Sequence, residues 1–321
     1  MPTVLITGGH GGIGFECAKQ LASLYRFDLV LVGRSQERMA KAAEELQKIC
    51  GVKVNLLQLD TSSLASVREG ATECRKLLDT GLIDTLQAII CNAGSRFFDL
   101  TYSVDGYEQT FATNCLGHFL LIELLVDRLA PEGRIVFTVS GTHDPDTTDG
   151  KLVGKAARPD AIALANAGKA GDEPLSSGKR YSTSKLCGVL YAYELARRLR
   201  RSGSSIASIA FDPGSVPDSG FLRALPAPAR WLASSAFAKW VQGRLGVTRG
   251  DLKFSGASLA KLASDASFKE ASGKYFQSND LRLIERRSAT MSYDEQLALK
   301  LWNDSRQLAH LQLDEEPSQL R

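Results

Sequence analysis

The stretch Thr3-Val4-Leu5-Ile6-Thr7, running into Gly8-Gly9-His10-Gly11-Gly12-Ile13-Gly14, narrows the fold more than any other part of the chain. The first five residues suit a short buried strand, and helical spacing resumes after the glycines to about Leu24. Strand, glycine-rich turn and helix in this order place backbone N–H groups and a helix N-terminus where they can cradle a pyrophosphate. Glycine permits the positive φ and close backbone approach that a Cβ would block. Such a turn is often only a turn; the strand before it and the helix after it favour nucleotide binding.

The alternation continues. Residues 28–33, 52–59, 86–91, 133–139 and 205–212 read as strands, and 63–78 and 105–129 as helices, with another helix ending at Cys50. This pattern predicts an α/β fold, a single doubly wound parallel sheet whose ligands bind past the strands' carboxyl ends. Gly8, Arg34, Asp60, Asn92, Ser140 and Pro213 all stand there. Farther on, a helix is expected at 252–262, a short strand at 274–276, a last helix at 293–308 and a frayed tail at 314–321.

Two segments fall outside the alternation. Residues 141–179 are rich in Gly, Ala, Asp and Pro, and a connection that long is usually functional or disordered. Residues 217–248 carry Trp231, Phe237 and Trp240 among Arg230, Lys239 and Arg244. They read as a substrate lid over an apolar pocket, with a subunit contact or a weak membrane-surface contact as alternatives.

Tyr181 and Lys185 are four residues apart and stack on one face of a helix. Leu186, Val189, Leu190, Tyr193 and Ala196 continue at helical spacing, and Arg197, Arg198, Arg200 and Arg201 suit the C-terminal dipole. The expectation is an amphipathic helix whose ammonium lowers the phenol's pKa from its usual value of about 10, so that it exchanges protons near neutral pH. With 8 tyrosines in the chain, roughly 0.4 such Tyr/Lys pairs arise by chance, so the pair is weak without its company. Arg34 and Arg38 stand where an acidic residue would take a ribose 2′-hydroxyl, which points to a 2′-phosphate and NADP(H); a solvated Arg opening a helix is the plainer reading. Asp60 is placed to accept from an adenine amino group. Asn114, among apolar neighbours, either caps a local kink or holds a water in a proton path.

Net charge is +3 without a long basic run, which gives no case for nucleic acid. Six cysteines lack any Cys-x-x-Cys pair and four histidines lack ligand spacing, so neither a disulfide framework nor a metal is expected. The first strand starts almost at Met1, which suggests no signal or transit peptide, and no run of about 18 apolar residues is evident. A cytoplasmic soluble protein is the expectation.

In order and spacing, Thr7-Gly8…Gly12-Ile13-Gly14, Asn92-Ala93-Gly94, Asn114, Ser140, Tyr181 with Lys185, and Asp212-Pro213-Gly214 resemble the short-chain dehydrogenase/reductase family over residues 3–310. The resemblance implies a Rossmann fold with Tyr181 as acid/base and Lys185 holding the nicotinamide ribose. Ser140 would bind the substrate oxygen, and Asn114 would anchor a relay water. It also places Gly11, Pro213, Gly214 and Val216 against the cofactor and makes homo-oligomers common. Asp105-Gly106-Tyr107-Glu108…Asn114-Cys115-Leu116-Gly117-His118-Phe119 is similar to the retinol dehydrogenase and protochlorophyllide reductase branch. Thr142-His143-Asp144-Pro145 and Ser272-Gly273-Lys274-Tyr275-Phe276 lean toward the latter. Ser215 stands where those photoenzymes carry a Cys, and Ser182-Thr183 where they show Lys-Asp. The expected activity is NADPH-dependent hydride transfer to or from a carbonyl or alcohol of a bulky apolar substrate. Light-dependent protochlorophyllide reduction and a non-catalytic NADP(H)-binding sensor or scaffold are the alternatives.

Overall fold

In the computed structural model, which describes residues 1–169, 171, 173–216 and 247–320, the apolar run Thr3–Thr7 forms β1 and is buried along its whole length. It is buried because it lies between β2 (Asp28–Gly33) and β4 (Leu86–Cys91), both parallel to it. Helices cover both faces. With β3 (Val54–Gln58), β5 (Leu129–Thr138), β6 (Ala207–Asp212), β7 (Lys274–Asn279) and β8 (Arg282–Arg286), the 8-stranded sheet runs β3-β2-β1-β4-β5-β6-β7-β8. The crossover between β1 and β4 opens a crevice at the strands' carboxyl ends.

One face of the sheet carries α1 (Gly12–Ser23), α2 (Gln36–Cys50) and, as α9, Leu252–Ser264. α1 and α9 pack so closely that a Cβ on Gly256 would fall 2.4 Å from Glu16 Cβ. Ser35 caps α2 by accepting from Arg38 N–H, and Gly51 closes it at φ 65°. The other face carries α3 (Leu64–Asp79), α4 (Gln109–Phe111), α5 (Gly117–Leu125) and α8 (Ser177–Arg201), backed by α10 (Glu295–Leu308).

Several expectations are corrected. The helix read over 105–129 starts only at Gln109, where Glu108 caps it, because Asp105 is used to accept from Leu64 N–H at the start of α3. It then widens into a π turn, Ala112–Leu116, around Asn114. Gln109–Arg128 is long and apolar enough by length and composition to cross a membrane, so the reading that no such run exists is revised. That run is 89% buried within the protein, as a core helix is. α8 is not amphipathic: residues 182–196 are buried on every side, because β6, α10 and the π turn surround it. β5 begins at Leu129, with its register against β4 shifting before Arg134.

The short strand at 274–276 extends to Asn279 and turns back antiparallel as β8. Asp280 (φ 50°) and Leu281 (φ 57°) make that turn without glycine, so the sequence carried no hairpin signal. The long segment after Ser140 holds α6 (Thr148–Val153) and α7 (Ala161–Ala165) and docks on the domain, with Ala157 N–H donating to Thr183 Oγ1 and Arg158 pairing with Asp294. The tail expected to fray is fastened instead: Leu320 is fully buried, its carbonyl accepts from Arg198 and Arg306, and Glu315 pairs with Arg68. Of the 217–248 lid, residues 217–246 lie outside the described residues.

Candidate active site

The glycine-rich turn lies at the carboxyl end of β1, with Gly8 at φ 68° and Gly12 at φ 55°. A Cβ on Gly12 would meet nothing within 4 Å, whereas one on Gly14 would fall 2.5 Å from the Gly8 carbonyl oxygen. Gly12 therefore borders open space at the helix N-terminus, and Gly14 lets helix and turn close up. Thr7, a residue the sequence reading treated only as motif, ties the two central strands together. Its hydroxyl oxygen accepts from Asn92 N–H and Ala93 N–H, each at 2.9 Å. His118 Nε2 lies 2.9 Å from the same oxygen.

A cavity of about 410 Å³ follows this turn. Its walls include Gly8, Gly11, Gly12, Ile13, Arg34, Arg38, Asp60, Asn92, Ala93 and Gly94, all singled out in the sequence. They include also His10, Ser35, Ser95, Phe97 and Thr113, which were not. The residues present fit a dinucleotide: a glycine-rich turn at a helix N-terminus and two guanidinium groups line one cavity, with Arg38 close to Gly11. Asp60 is less available than expected, since Oδ1 accepts from Ser62 N–H and Oγ and Oδ2 lies 3.9 Å from Arg34. Pro213, Gly214 and Val216 stand past β6, outside this lining; Val216 is buried.

Tyr181, Lys185, Ser140 and Asn114 are not part of this lining; α8 places Tyr181 and Lys185 behind Gly94, which is. Lys185 Nζ donates to the Thr138 carbonyl at 3.0 Å and lies 5.6 Å from the centroid of the Tyr181 ring. Ser140, at the end of β5, hydrogen-bonds Tyr181, and its oxygen accepts from Thr142 N–H at 3.3 Å. The expected electrostatics are corrected here. Burial pushes Tyr181 up to about 12, reinforced by Asp212, while Ser140 and Arg96 pull the other way. Burial brings Lys185 down to about 8, opposed by Cys115 and Asp212. The ammonium lies over the ring and is turned to Thr138, so it does not lower the phenol's pKa as the four-residue spacing suggested.

Asn114 sits on the π turn with its amide fully used. Nδ2 donates to Ser95 O and Ser184 Oγ, each at 3.0 Å, and Oδ1 accepts from Ser95 N–H at 2.9 Å. The polar group left for a water is therefore its backbone carbonyl, 3.5 Å from His118 Nδ1. A wide turn is the kind of helix defect that frees a carbonyl at a functional site. Gly94 brings the two halves together: a Cβ there would lie 3.1 Å from Asn114 Oδ1 and 3.4 Å from Lys185 Nζ.

Two further residues, named in the sequence only as parts of motifs, were given no role there. His143, fully buried, has Nδ1 2.7 Å from the Ser140 carbonyl, while Nε2 accepts from Ala289 N–H at 3.1 Å. That acceptor role fixes the ring as the Nδ1–H tautomer, so Nδ1 donates to Ser140. Asp212, also buried, accepts from Gly214 N–H, Tyr275 Oη and Gln277 Nε2. Their roles were hidden because the partners that complete each set, Ala289 for His143 and Tyr275 and Gln277 for Asp212, lie far along the chain. Among the described residues, no cluster of His, Cys, Asp or Glu could hold a metal ion.

A nucleotide cradle beside a half-buried Tyr181 and Ser140 and a buried Lys185 defines the class of α/β oxidoreductase. The family described as short chain dehydrogenase matches residues 2–146. The chain is 31% identical to protochlorophyllide reductase A of Oryza sativa subsp. japonica, over 96% of this chain and 80% of that protein. It is 31% identical to polyprenol dehydrogenase of Danio rerio, over 94% of this chain and 84% of that one. A solved short chain dehydrogenase of Burkholderia cenocepacia in complex with NADP has the same fold, with a TM-score of 0.61 at 21% identity, covering 87% of this chain and 96% of its own. The chain belongs to the short-chain dehydrogenase family. The expected resemblance to protochlorophyllide reductases is borne out.

Proposed function

We propose that the protein is an NADPH-dependent oxidoreductase acting on a carbonyl or alcohol of a bulky apolar substrate. The observation that carries this reading is the meeting of Tyr181, Ser140 and Lys185 beside Gly94, a wall of the cavity that Arg34 and Arg38 also line. The NADP complex of the solved relative supports the choice of cofactor, and the two named relatives support a large apolar substrate.

NADPH supplies the hydride. Gly8, Gly11 and Gly12 offer backbone to the pyrophosphate, and Arg34 with Arg38 takes the 2′-phosphate. Lys185 holds the nicotinamide ribose. Ser140 and Tyr181 donate to the substrate oxygen, and Tyr181 gives up its proton there; a phenol raised to about 12 keeps that proton at neutral pH, which suits reduction. A water on the Asn114 carbonyl would return the proton.

Two outcomes test this. Arg34→Ala should weaken NADPH binding about tenfold to a hundredfold and leave NADH nearly unchanged, because one charge-assisted contact is lost; equal losses by fluorescence titration would refute the 2′-phosphate assignment. Reductive turnover over a panel of aldehydes, ketones and quinones in the dark should hold steady below pH 8 and fall above it, as Lys185 loses its proton at about 8. A flat profile to pH 10 would remove the charged lysine from the mechanism. Turnover of protochlorophyllide only under illumination would establish the photoenzyme reading instead.

A further inference from the structure

His10 stands in the glycine-rich turn but takes no part in the chemistry above. Its ring lines the same cavity as Arg34 and Arg38. The ring edge is pressed on the end of β2: a Cβ on Gly33 would fall 2.7 Å from Cε1 and 2.9 Å from Nδ1. Nδ1 is buried and has no hydrogen-bond partner among the described residues. The charged groups facing the site are Arg34 from the turn after β2, Arg38 from the first turn of α2, and Asp60 from the end of β3, 3.9 Å from Arg34.

We propose that His10 is a proton-gated third contact for the phosphate on the adenosine ribose. The ring is neutral in the free protein and takes up a proton when a dianionic phosphate is bound between Arg34 and Arg38. Preference for the phosphorylated nucleotide therefore strengthens as pH falls. The proposal rests on the reading that the 2′-phosphate lies at these arginines.

The physical case is a reversal of field. In the free protein, burial and the two guanidinium groups hold His10 below its ordinary value of 6.5. A phosphate monoester brings about −1.5 to −2 charges and three acceptor oxygens into that space. The imidazolium then faces an anion in the cavity that it lines with Arg34 and Arg38. A group whose pKa is higher in the complex tightens binding at low pH, and that gain is lost as pH rises through the complex's value. Each tenfold rise in the imidazole's proton affinity on binding makes the nucleotide about tenfold tighter at low pH.

The test is calorimetric titration of the full chain with NADP⁺ and with NAD⁺ between pH 6.5 and 8.5. Lys185 acts on both nucleotides alike, so the ratio of the two affinities isolates the phosphate. The wild-type ratio should rise about threefold to tenfold from pH 8.5 to 6.5. At pH 7.0, heats measured in Pipes and in Tris should differ by the ionisation of about half a proton taken up per NADP⁺ and none per NAD⁺. His10→Asn should still bind NAD⁺, which reports an intact turn, and should lose the rise. The free ligand's own phosphate, with a pKa of about 6, opposes the effect and remains in the variant. A rise unchanged in His10→Asn, or no proton uptake by the wild type, overturns the proposal. If Arg34→Ala weakens both nucleotides equally, the 2′-phosphate reading falls and this proposal with it. If Arg34→Ala is selective and the wild-type ratio is flat with pH, His10 alone is refuted.

Discussion

Replacing Tyr181 with phenylalanine is expected to lower turnover by about 10²–10⁴-fold, the usual worth of a positioned proton donor, while NADPH binding changes by less than about twofold. The substitution removes one hydroxyl and keeps the ring that packs beside Lys185. The hydroxyl is the group that meets Ser140, whose own oxygen is already occupied by Thr142 N–H. In the proposed mechanism Ser140 would still orient and polarise the substrate oxygen, but a serine hydroxyl is too weak an acid to replace Tyr181 as proton donor. Single-turnover rates on any carbonyl the wild type reduces, beside a fluorescence titration of NADPH, separate the two effects. A Tyr181→Phe protein that reduces at the wild-type rate would assign the proton to another donor.

The second large effect is structural. Glu108→Ala is expected to destabilise the fold by about 3–5 kcal/mol, because it strands a buried cation. Glu108 Oε1 accepts from Thr110 N–H, Thr110 Oγ1 and Arg180 Nε, and Oε2 accepts from Phe111 N–H. Arg180 is itself buried and spends its other N–H groups on the carbonyls of Leu175, Phe97, Phe98 and Asp99. The pair thus joins the start of α4, the loop beside the cofactor cavity and the residue next to Tyr181. Denaturant unfolding of Glu108→Ala, Arg180→Leu and the double variant should show the double losing less than the sum of the singles. Additive losses, or a single loss under about 1 kcal/mol, would show that the two side chains are not coupled.

What could be read from the sequence depended on how local each signal was. The strands at 28–33 and 86–91 and the glycine-rich turn are continuous patterns, and they sit where the periodicity placed them. Tyr181, Lys185, Ser140 and Asn114 are brought to one place because each lies at a strand end or on a helix aimed there. Long-range partners stayed hidden. Nothing near Glu108 announces a guanidinium 72 positions away, and nothing near His143 announces the amide of residue 289. The direction of the Tyr181 shift was missed for a related reason: spacing locates an ammonium along a helix, but burial decides which ionised forms are disfavoured.

The hydrogen bond from Ala289 to His143, and from there to Ser140, has a consequence for biosynthesis. During translation the nucleotide-binding strands β1 to β4 emerge first and can pair with one another. The serine at the end of β5 gains its fixed imidazole only after residue 289 has left the ribosome, 146 residues after His143. β6 is an open edge until β7 arrives. A nascent chain would thus hold the elements of the nucleotide cradle well before the proposed site is complete, and a message truncated before codon 289 would yield at best a nucleotide binder whose Ser140 lacks its fixed imidazole.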